Sequence, residues 1–176
     1  MNTSHISDTL STLVRELVRG SPDVSKPTYM LNRGDRGLLY ALDNLPASAA
    51  SVSNAGGPSI AAHTDHVRYG LSLLNRWANG DPASWKETDW TASWKKSVVS
   101  DAEWRTLRDE LRRETEAWIA ALGTPREVSV AELRFITGSV AHLAYHFGAI
   151  RQIDRATRGP TAEEERQAEA RLRSER

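Results

Sequence analysis

The segment "VAHLAYHFGAIRQ", residues 140–152, carries two of the five histidines of a 176-residue chain, four positions apart in a run that is otherwise almost entirely apolar or small. A helix turns by about 100° per residue, so His142 and His146 stand about 40° apart around its axis and one turn apart along it. Both rings can therefore reach one point in space. Gly138, Ala149 and Ile153 share their stripe, and Gly138 and Ala149 bring no bulk to the space around the rings. This stripe borders the main apolar row of Leu133, Ile136, Val140, Leu143, Phe147 and Ile150, at an edge where a cleft between helices could open.

Working outward, the spacing predicts a long helix from about Val130 to Ala156 and three more before it. The first runs from Ile6 to near Gly20 on Leu10, Leu13, Val14, Leu17 and Val18. The second is placed with Pro58 in its first turn and Asn79-Gly80 as its exit, its inward row being Ile60, His63, Val67, Leu71 and Leu74. The third opens on a capping-box match at Ser100 and Glu103 and buries Trp104, Leu107, Leu111, Trp118 and Leu122 before Gly123. Between first and second, "LLYALDNLP" reads as a short helix stopped before Pro46, and "ASAASVSNAGG" as a small-residue loop. Trp85, Trp90 and Trp94 lie in a polar, poorly periodic stretch that reads as a lid, a subunit contact or a plug at the bundle end. The expected fold is all-α, a helical bundle with long connections between first and second and between second and third helices. Residues 1–158 form the domain and 159–176 a charged tail, either a solvated helix or a frayed end.

Composition removes several function classes. Apolar residues make up 39% and charged residues 26%, as expected for a soluble globular chain with a real core. The net charge is zero, so neither nucleic acid nor an anionic membrane surface is expected as a partner. With no cysteine, there is no disulfide, no thiolate metal site and no Cys nucleophile. Arg15, Glu16 and Arg19 interrupt the N-terminal apolar pattern, which excludes a signal peptide there, and no run is long enough to span a membrane. The expected location is cytoplasmic.

Imidazole is the commonest side-chain ligand for several first-row metals, and H-x-x-x-H on a helix is a bidentate clamp. A third ligand is needed. His63 replaces an apolar residue on the inward row of the second helix and is the leading candidate; His66 is one turn further on, and His5 sits near a terminus. Three imidazoles on a divalent ion leave positions for water or substrate, the ligand count of a catalytic site. Such an ion would lower the pKa of a bound water or thiol, or polarise a carbonyl. The zincin motif is excluded because Leu143, not Glu, follows His142, and no histidine has the Glu three residues before it that di-iron bundles use. The alternative is a pair of hydrogen-bonded histidines that bind nothing.

"SIAAHTDHVRYGLSLLNRW" followed downstream by "GSVAHLAYHFGAIRQI" resembles the DinB/YfiT-like superfamily of metal-dependent enzymes, over the two motif helices closely and over residues 5–156 loosely. The resemblance implies a DinB-like four-helix bundle and a metal triad of His63, His142 and His146, with His66 at the accompanying position of an H-x-x-[DH] pattern. It implies nickel or zinc as the metal, and a homodimer as an assembly found among members. Some relatives use mycothiol or bacillithiol as transferases or isomerases, so the expected activity is a thiol-cofactor-dependent transfer to a small electrophile. The cofactor set is then a divalent ion and a low-molecular-weight thiol, which must be a bound molecule in a chain without cysteine.

Tyr69 and His66 are the candidate catalytic residues, Tyr69 as a hydrogen-bond donor to a metal-bound oxygen or thiolate and His66 as an acid or base. Tyr145 is a second such donor, Asp65 could orient a ring, and Arg151 could pair with a substrate carboxylate; each has an ordinary packing or ion-pair reading as well. Two rivals remain: a hydrolase using metal-bound hydroxide, with His66 or Tyr69 as its base, and a non-catalytic bundle that binds a ligand or partner.

Overall fold

The computed structural model describes residues 3–174 apart from Ala55, Pro82 and Glu87. Among these residues the chain is all-helical: α1 (Thr3–Arg19), α2 (Gly37–Asp43), α3 (Ala47–Ala50), α4 (Ile60–Ala78), α5 (Asp101–Gly123), α6 (Val130–Ile153) and α7 (Ala162–Ser174), with 3₁₀ turns at Ala92–Trp94 and Arg155–Thr157. None of these helices is long and apolar enough to cross a membrane.

The four long helices share one core. α1 packs on α5 and α6, and α4 packs on the same two from the other side. Most of the rows expected to face inward do so: Val14, Leu17 and Val18 on α1, Trp104, Leu107, Leu111 and Trp118 on α5, and Ile136, Val140, Leu143, Phe147 and Ile150 on α6 are buried, while Leu13 and Leu133 at the row edges are half-buried. Amphipathic periodicity is the reason, because a row at 3.6-residue spacing can leave water only by meeting the rows of neighbouring helices.

Three local expectations are corrected. Pro58 lies outside α4: the cap is Ser59, whose hydroxyl accepts from the Ala62 amide at 3.2 Å and donates to the Ser97 carbonyl at 2.7 Å. Hydroxyl capping of the free first-turn amides starts the helix at Ile60, two residues later than a helix opening on Pro58. Ala47–Ala50, read as loop, is one helical turn whose Ala47 and Ala50 pack into the core. The end of α6 comes at Ile153, where the Asp154 side chain caps the 3₁₀ turn that follows by accepting from the Ala156 amide.

The long connection from α1 to α2 is built on one carboxylate. Glu16 is buried, and its oxygens accept from the amides of Tyr29, Met30 and Leu31 at 2.8–3.1 Å. Gly20 and Gly37 close the base of the loop at φ of 73° and 76°, where a Cβ on Gly20 would fall 2.1 Å from the Asp35 carbonyl oxygen. The tail is helical and touches this same loop: Glu165 accepts from the Arg33 amide at 3.0 Å and Glu169 pairs with the Arg33 guanidinium at 3.0 Å.

Ser59 matters for function because α4 carries two histidines in its first turns. Ser59→Ala is expected to destabilise the protein by about 1–2 kcal/mol, since a buried cap and the bond to residue 97 are lost together. Urea denaturation measures it, and an unchanged midpoint would contradict the role given to this cap.

Candidate metal centre

Two helices bring four imidazoles together. α4 supplies His63 and His66, three positions apart, and α6 supplies His142 and His146, four apart, so each pair faces the opposite helix. His63, His66 and His146 are buried and His142 is half-buried. His66, His142 and His146 each offer a ring nitrogen within 4.8 Å of the others, a grouping that could hold a metal ion. His142 Nε2 lies 3.1 Å from His66 Nε2 and 3.0 Å from His146 Nε2. Two ligand nitrogens on a tetrahedral zinc stand ~3.3 Å apart, given bonds of 2.0–2.1 Å. A small opening of the cluster is all an ion would require.

His63 joins on the far side of His146, its Nδ1 2.9 Å from His146 Nδ1. The converging set therefore contains His66, with His63 one contact behind it.

Hydrogen bonds behind the rings orient them. Ser93 Oγ donates to the Trp90 carbonyl at 2.7 Å, so at its 2.8 Å contact with His66 Nδ1 it accepts. This puts the His66 proton on Nδ1 and turns the Nε2 lone pair toward the cluster. His63 can play the same part for His146, accepting from Nδ1 and leaving Nε2 as a lone pair. Trp94 stacks on His66 with ring centres 4.1 Å apart and meets His63 edge-on at 5.3 Å. The 3₁₀ turn at Ala92–Trp94 thus lays an aromatic ring against one side of the histidines.

Burial holds these rings neutral. The His146 pKa falls from 6.5 to about 3, through desolvation first and then the neighbouring His142, His66 and His63. His66 falls to about 4 for the same reasons, with Asp65 opposing. Desolvation lowers His63 and His142 as well. The sign for stability follows: below pH 6.5 the unfolded chain takes up protons that the folded rings refuse. The metal-free protein is therefore expected to have full stability above that pH and to lose it progressively toward pH 4. Urea midpoints at pH 7 and pH 5 check this, and the difference should shrink in His66→Gln.

Other candidates are placed as follows. The Tyr69 hydroxyl accepts from the Asp89 amide at 3.0 Å and its ring lies edge-on to Trp90, so it pins the 89–94 segment. Tyr145 is exposed, its ring edge-on to His146 at 5.0 Å. Asp65 pairs with Arg68 at 2.8 Å. Arg151 takes its ion-pair reading: it binds the buried Asp35 at 2.6 Å and lies over the Phe147 ring. His5 is exposed on α1. Ser93 had no signal in the sequence, because its place behind His66 depends on how the irregular stretch 81–100 folds back.

Compared with known proteins, the chain matches no family model, no curated protein and no solved structure.

Proposed function

We propose that this protein is a metal-dependent enzyme of the DinB/YfiT-like kind, a four-helix bundle holding one divalent ion, nickel or zinc, on histidines of α4 and α6. One observation carries the reading. Three imidazoles converge, with Nε2 contacts of 3.0–3.1 Å, and the Ser93 contact behind His66 makes its Nε2 a lone pair; His63 accepting from His146 Nδ1 would make a second. With His146 in that tautomer, only His142 Nε2 brings a proton to that point in the metal-free cluster, and one proton cannot satisfy both facing acceptors well. A cation satisfies all three, and neutral buried imidazoles are the form it needs.

His66, His142 and His146 would hold the ion, with Ser93 and His63 fixing two of the rings. When bound, it supplies a Lewis acid with open positions for a substrate or thiol. The chain's own residues orient the donors, and Trp94 excludes water from one side of them. The reaction proposed is transfer of a low-molecular-weight thiol to a small electrophile, by a homodimer. The thiol comes from solution, since the chain has no cysteine.

Elemental analysis of untagged protein prepared without chelator tests the metal. About one equivalent supports it, and protein still metal-free after incubation with each candidate ion would sink it, leaving a binding module. Cobalt-loaded protein titrated with a small thiol tests the chemistry: visible bands that do not respond remove the thiol version. Elution as a monomer at micromolar concentration removes the homodimer.

A further inference from the structure

A cleft of about 330 Å³ opens between α4 and α6 beside the histidines, and His142 is part of its wall. Its surface is mostly apolar, from Val67, Leu71 and Leu74 on α4 and Leu143 on α6. Aromatic rings also line it: Trp85 stacks on Phe135 with ring centres 5.4 Å apart and planes 17° apart, and Trp90 lies 5.5 Å from the His66 ring.

The space exists because two positions lack side chains. A Cβ on Gly70 would lie 3.6 Å from the Trp90 ring and 3.7 Å from His142 Cε1, so any larger residue would crowd the passage between them. Gly138 is an exposed residue of the cleft wall, and a Cβ there would meet nothing within 4 Å. Ser139 also lines the cleft, but its hydroxyl is already engaged, donating to the Ile136 carbonyl and accepting from the Trp118 indole. Arg134 is the one charged residue among the described residues of the lining. It sits eight positions before His142, about 12 Å along the helix axis.

We infer that this cleft binds a flat, largely apolar carboxylate, its ring against the aromatic side chains of the lining, its anionic group on Arg134 and its other end toward His142. The geometry of the walls selects the apolar body, and a single guanidinium on an otherwise uncharged lining selects the anion. That this molecule is the enzyme's substrate rests on the metal-centre reading above; that it binds does not.

The test uses the full chain, with 4-phenylbutyrate and the uncharged 4-phenylbutan-1-ol titrated against tryptophan fluorescence. Wild type is expected to prefer the carboxylate by about two- to fivefold, the range for a partly exposed ion pair. Arg134→Gln should bring the two ligands to parity, and Gly138→Leu should lose both by filling the cleft. No binding, equal affinities in wild type, or a Gly138→Leu variant that binds as wild type would each overturn the inference. Zinc titration of the same three proteins reports on the histidines alone, so a failed metal centre and a failed cleft give different results.

Discussion

His66→Ala is expected to weaken zinc binding by about 10²–10³-fold, whereas His63→Ala weakens it by about 10–100-fold, the range for a group that only orients a ligand. The larger figure follows from dividing the binding energy of a zinc site, about 10–16 kcal/mol, among its ligands. The two variants discriminate because His146 has one ring but two neighbours. Through Nε2 it faces His142, and through Nδ1 it faces His63. If the ion sits among the Nε2 atoms, His63 accepts the proton from Nδ1 and only orients the ring. If it sits with His63 instead, the order of the two effects reverses. Competition titration with a chromophoric chelator measures both, and His142→Ala/His146→Ala should retain no zinc in either case.

Trp118→Ala is expected to be the most destabilising of the single core truncations that touch the site, by about 3–5 kcal/mol. The side chain is buried, and its indole donates to Ser139 Oγ at 3.0 Å. Ser139 lies three residues before His142, so this bond fastens α5 to the part of α6 that carries the histidines. Truncation opens a large cavity and removes that fastening together. At about 2–4 °C per kcal/mol for a domain of this size, the melting temperature should drop by roughly 10 °C. Trp118→Phe keeps most of the apolar volume and should cost about 1–2 kcal/mol, so the pair separates packing from the hydrogen bond. A Trp118→Ala variant within 1 °C of wild type would refute the assignment of this residue to the core.

Much of the helical architecture was legible because amphipathic rows are local. Val14 and Leu17, Leu107 and Leu111, Leu143 and Phe147 declare their buried faces by spacing alone, and the structure buries all of them. The third long helix was legible at its start, since the Ser100–Glu103 capping box is a local signal and forms as read. The same device at Ser129 and Glu132, which opens α6, lay in the sequence too and is seen in the structure. The short turn at Ala47–Ala50 was not legible: four small residues have no periodicity to show, and only the core they fill makes them helical.

The site divides in the same way. The sequence by itself determined that His142 and His146 share a helix face, because that follows from helix geometry at a separation of four. It also determined that His63 and His66 both lie near the start of the helix opposite. What the tertiary structure alone decided is which ring nitrogens meet. The rotation of α4 against α6 brings His66 Nε2 to His142 and leaves His63 on the far nitrogen of His146. Ser93 and Trp94 then arrive from an irregular segment to set the protonated nitrogen of His66 and shield it from water. Spacing along a chain places a side chain on a face; the atom it presents depends on packing and on hydrogen bonds from residues distant in sequence, and no local pattern encodes those.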